Sequence, residues 1–63
     1  MRVLIAKQNE EVFRTFDSKL KFTEASKNTS TFNITPAKFQ KLRNWVREQG
    51  YNPFALMHWE NNS

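Results

Sequence analysis

The chain has 63 residues, a formal charge of +4 and no cysteine. One domain is all this length accommodates, and such a chain buries only about 60% of the surface its unfolded form exposes. The missing cysteines exclude disulfides and thiolate metal sites, and no run approaches the ~18 consecutive apolar residues that a membrane span requires.

Six Phe, two Trp and one Tyr are therefore expected to supply much of the core. A homodimer interface is a second source of burial open to so small a domain. The opening Met1–Ala6 run is too short for a signal-peptide core and is followed at once by Lys7-Gln8-Asn9. The expected location is the cytoplasm, with no membrane partner. Sequons at Asn28, Asn33 and Asn61 are read as chance in a chain rich in Asn, Ser and Thr.

In chain order, Arg2 to Lys7 is β-branched and apolar on both faces, which predicts a central strand. Gln8 to Glu11 is polar punctuation. Residues 12–20 fit two templates. Val12, Phe13, Phe16 and Leu20 recur at helical spacing, with Asn9 as a potential cap and Glu10 and Glu11 in the first turn. Phe13 to Phe16 also suits a strand hairpinned to the first, and the strand is the reading taken. Leu20 to Glu24 alternates with period two, as does Thr31 to Ile34. With the polar Ser26–Ser30 loop between them, they predict a hairpin that turns Leu20, Phe22, Phe32 and Ile34 inward.

Residues 36–49 form the strongest predicted element. Thr35 is an N-cap, Pro36 suits the first helical position, and Gly50 fits a left-handed position after the last turn. Phe39, Leu42, Trp45 and Val46 span about 120°, a core-facing arc. Asn52-Pro53 repeats the cap-proline signal ahead of Phe54–Trp59, which reads as a last strand, with a second helix as the alternative. Residues 60–63 are expected to fray. The fold expected over the single domain 1–63 is α+β: a small antiparallel sheet of three to four strands packed against one main helix, residues 36–49. The alternative is a mainly helical chain with a helix-turn-helix at 36–60.

Catalysis is not expected, nor are a cofactor or a metal. His58 is the lone histidine, Gly50 the lone glycine, and Glu10 and Glu11 are adjacent and so diverge. What remains is contact chemistry. The stretch 36–49 sets Lys38, Lys41, Arg43 and Arg47 against Glu48 alone. Gln40, Arg43, Asn44 and Arg47 follow i, i+3, i+4, i+7 spacing and so share an acid-free face. Arg pairs with guanine, and Asn or Gln with adenine, in the major groove. Lys38 and Lys41 lie on the far flank, where they could reach phosphates. Lys19, Lys21 and Lys27 make a second basic set on the hairpin, the kind that also guards sheet edges. Tyr51 and Trp59 are the aromatic pair expected to be exposed, available to a protein interface.

Two functions follow from this reading. One is a small nucleic-acid-binding protein, DNA favoured, of a regulatory or recombination-accessory type. The other is a small protein-binding effector that inhibits or modulates a larger enzyme through its own aromatic and basic surface, the partner then being an acidic protein surface.

Overall fold

The structure is a computed structural model and describes residues 1–60. The elements are β1 (Arg2–Ala6), α1 (Glu10–Phe16), β2 (Thr23–Glu24), β3 (Thr29–Asn33), α2 (Pro36–Glu48), α3 (Pro53–Leu56) and β4 (Met57–Glu60), with a single 3-10 turn at Lys7–Asn9. The four strands form one antiparallel sheet in the order β2-β3-β1-β4. This is the expected α+β class. Two βαβ units interleave, the split-βαβ or ferredoxin-like connectivity, with β1 central as its two apolar faces demand.

Strand alternation divides the sheet into two faces. Val3, Ile5, Phe32 and Met57 turn one way and meet Phe13 of α1 and Phe39, Leu42 and Val46 of α2 in the core. The opposite face carries Arg2, Leu4, Ala6, Thr29, Thr31, Asn33, His58 and Glu60. Among the described residues no helix is long and apolar enough to cross a membrane.

The segment after β1 is a helix, not the strand preferred from sequence. Phe13 is fully buried, with Val12 and Phe16 packed beside it. Arg14 bonds Glu11 at 2.9 Å and Glu10 at 3.1 Å, the i,i+3 and i,i+4 pairs that only a helix brings together. Asn9 precedes the helix but its side chain makes no capping bond. Glu10 Oε2 also accepts a 2.5 Å hydrogen bond from Ser30 Oγ. Ser30 lies on the core face of β3 and is 1% exposed, so this bond satisfies a buried hydroxyl and ties α1 to the sheet.

The hairpin forms with Thr23 opposite Thr31 and Glu24 opposite Ser30. Its first strand is shorter than the alternation implied. Residues 20–22 leave the sheet because Leu20 and Phe22 fold onto the core. Phe22 meets the Phe32 ring edge-on at 5.5 Å, and the Arg14 guanidinium lies 4.9 Å from the centre of the Phe22 ring.

Both ends of α2 follow their sequence signals. Thr35 Oγ1 accepts from Lys38 N–H at 3.2 Å, and Pro36 sits where its missing donor costs nothing. At the far end Gly50 takes φ +91°, Gly50 N–H donates to Arg47 O and Tyr51 N–H to Val46 O, the paired bonds of a Schellman cap. The 53–60 stretch satisfies both readings in turn. Asn52 Oδ1 accepts from Phe54 N–H at 3.0 Å and starts the one-turn α3, after which Met57–Glu60 joins β1 as the edge strand. Glu60 therefore belongs to β4; the rest of the expected frayed tail, with the Asn61 sequon, lies outside the described residues.

Candidate nucleic-acid interface

Because α2 buries Phe39, Leu42 and Val46, its opposite side faces outward. Gln40, Lys41, Asn44 and Arg47 are exposed there and make no side-chain hydrogen bond or ion pair among the described residues. The expected polar row is thus present, and three of its four members project freely. The fourth, Arg43, does not.

Arg43 is half-buried on the Phe39 flank of the helix. Its guanidinium lies 5.7 Å from the ring centres of both Phe54 and Trp59. Trp59 in turn packs in tilted contact with Phe39, at 5.0 Å between ring centres and 57° between planes, and with Phe54, at 5.3 Å and 37°. Three rings and one cation therefore form a continuous shelf linking α2, α3 and β4. Arg43 Nε is buried without an acceptor among the described residues. Facing rings hold the charge through their π clouds but offer this donor no lone pair.

Lys38 occupies the other flank, beside Trp45, which packs on Phe16 at 5.5 Å. Its ammonium forms an ion pair with Asp17, in the turn that follows α1. The Lys38 hydrogen bond, backed by the Lys19 N–H at 2.9 Å, holds the Asp17 carboxyl below the usual carboxylate range. Lys38 is thus committed to the fold, whereas Lys41 keeps an unpaired ammonium. On the hairpin, Lys19, Lys21 and Lys27 are all exposed. Lys19 and Lys21 line an open groove with Thr35 and Lys38 at the start of α2, and Lys27 lies away from it.

The aromatic pair expected at the surface is half right. Tyr51 is 45% exposed, fixed by the Schellman bond to Val46. Trp59 is half-buried, because its register opposite Val3 turns it to the core face, where Phe39 covers it. Phe54 is the outward ring, at 60% exposure. Sequence reasoning missed it because Phe54 was counted with an apolar strand. The signal was the Asn52-Pro53 cap, which makes Phe54 a first-turn residue of a helix with only Pro53 buried.

His58 lies exposed on the open face of the sheet, across from Leu4. Among the described residues no group of three or more His, Cys, Asp or Glu side chains is placed to hold a metal ion. No family model, no curated protein and no solved structure matches this chain.

Proposed function

We propose that this protein is a small non-catalytic nucleic-acid-binding module, acting in the cytoplasm, that docks through the outer face of α2. The observation that carries the reading is the row Gln40, Lys41, Asn44 and Arg47: exposed, with two cations against Glu48 as the one acid on that face of α2, and without side-chain partners among the described residues. An unpaired Lys or Arg on a rigid helix neutralises a phosphate without first breaking an internal ion pair. Exposed amides beside it supply the donors and acceptors that read bases or sugar edges. A regulatory or recombination-accessory role would follow from binding alone.

The test is binding to random-sequence DNA at about 50 and 200 mM salt. Affinity should fall steeply between the two, and Lys41→Ala with Arg47→Ala should weaken binding and flatten the salt slope by roughly 1.4–1.8, two phosphates' worth. Salt-insensitive binding, or a double variant that binds like the parent, would remove this reading.

A second reading is supported by Phe54. An exposed phenyl ring beside Arg43, with Tyr51 also exposed three residues earlier in the chain, has the composition of a protein-interface anchor. In that case the basic row would face an acidic surface on a partner protein, such as an enzyme that this chain inhibits. Such binding should weaken with salt far less steeply than binding to nucleic acid, and should depend on Phe54 more than on Lys41.

A further inference from the structure

We infer that the α2 surface takes single-stranded nucleic acid, with Phe54 as the ring on which a base stacks. This deepens the nucleic-acid reading and rests on it.

Duplexes keep their base faces stacked on one another, so a protein ring has nothing to cover unless the strand is opened. A single strand presents those faces, and aromatic rings beside a cationic track are how non-specific single-strand sites are built. Four-stranded sheets that bind RNA place such rings on the open face of their central strands. This sheet does not: β1 and β3 offer Arg2, Leu4, Ala6, Thr29, Thr31 and Asn33 there, and β4 adds His58 and Glu60, with no Phe, Tyr or Trp ring among them. The available ring has moved to the helical side.

Phe54 is suited to the task by how it is held. Its backbone N–H is tied to Asn52 Oδ1, and Ala55 and Leu56 N–H both return to Asn52 O at 3.0 Å, so the one-turn helix is fixed in place. Pro53 beneath it is buried. The ring packs at a tilt against Trp59, which itself packs against Phe39, while the residue stays 60% exposed to solvent. A base arriving on the open side meets a ring that loses little freedom on binding. Arg43 sets positive charge at the ring's margin, and Arg47 lies one turn further along the same helix, about 6 Å away. The stacked base and its flanking phosphates would thus meet a ring and two guanidinium groups in line.

The experiment compares oligo-dT of about 12 nucleotides with a duplex of the same length, for the parent, Phe54→Ala and Phe54→Tyr. The expected result is preference for the single strand, about tenfold or greater loss in Phe54→Ala, and recovery in Phe54→Tyr. The salt slope should be the same in all three, because no charge changes. Phe54 is exposed, so circular dichroism should show each variant folded. Equal or better binding of duplex, or an unaffected Phe54→Ala protein, overturns the stacking inference while salt-dependent binding through Lys41 and Arg47 keeps the α2 reading. Absence of salt-sensitive binding to either form overturns both and leaves Phe54 as an anchor for a protein partner.

Discussion

On one flank of α2, Lys38 closes onto Asp17 and Trp45 packs against Phe16. On the other, Arg43 lies over Phe54 and Trp59, and Trp59 packs against Phe39. Both flanks pair a cation with an aromatic contact, yet they leave the cation in different states. A carboxylate neutralises Lys38 and spends its charge on joining α1 to α2. Rings hold Arg43 without neutralising it, so its charge still acts outward. The Phe39 flank also ends in an exposed phenyl ring, whereas the Trp45 flank ends in an ion pair. The Trp45 flank is closed by its ion pair, whereas the Phe39 flank leaves a ring and a cation open at the surface.

The severest way to break this contrast is to remove what both flanks share. Leu42 sits fully buried on the inner face of α2, between the flanks. Leu42→Ala should cost about 2–5 kcal/mol, enough to unfold a domain of this size. A cooperative thermal transition like the parent's would mean that α2 is held by its flanks and not by its core stripe.

Next in size is the seam between α1 and the sheet, on which the Lys38 flank depends. Ser30→Ala deletes the buried hydrogen bond to the Glu10 carboxylate and should lower stability by about 1.5–3 kcal/mol in urea unfolding. Nucleic-acid binding per folded molecule should not change. A loss of binding without a loss of stability would place the two flanks in communication.

Arg43 gives a smaller and more selective effect. Arg43→Ala removes the cation from the ring shelf, a contact worth about 0.5–1 kcal/mol at a partly exposed site, but it also removes a buried donor without an acceptor. The two nearly cancel, so the urea midpoint should barely move while the salt slope of single-strand binding falls by about 0.7. Arg43→Lys should keep the slope but not the affinity, because an ammonium lacks the planar face that lies along rings. Unchanged binding in both variants would make Arg43 purely structural.

These flanks show where the sequence was readable. The caps of α2, its core stripe and the central position of β1 were legible because each rests on residues within one or two turns. The withdrawal of Arg43 had a local clue, since it stands one turn after Phe39 and only about 40° from it. Its ring partners did not, because Trp59 reaches Phe39 through a sheet register set by Val3. Lys38 likewise shares a direction with Trp45, but its partner Asp17 belongs to a turn whose position depends on α1 being a helix. That helix has seven residues, too few for spacing alone to outweigh the β propensity of Val12, Phe13 and Phe16. The stretch 53–60 defeated periodicity for a simpler reason: it holds four residues of helix and then four of strand.

The smallest expected effect is the most discriminating. Asp17→Asn keeps an acceptor for Lys19 N–H and removes the charge that Lys38 neutralises. The Asp17 carboxyl is held below its ordinary range in the folded protein, as is that of Glu24 beside Lys7. Such groups add stability above the pKa of the unfolded chain and lose it as pH falls through the folded one. The variant should therefore be slightly less stable than the parent at neutral pH, and the two should converge on acidification below the carboxylate range. The Glu24 contribution should remain in both. Binding is the sharper readout, because the substitution leaves the Lys38 ammonium unpaired on the flank away from Phe54. If the strand runs along Arg43, Arg47 and the phenyl shelf, the freed lysine meets no phosphate and the salt slope stays where it was. A slope steeper by about 0.7 would mean that the strand crosses both flanks. The pairing of Lys38 with Asp17 would then restrain binding as well as hold the fold.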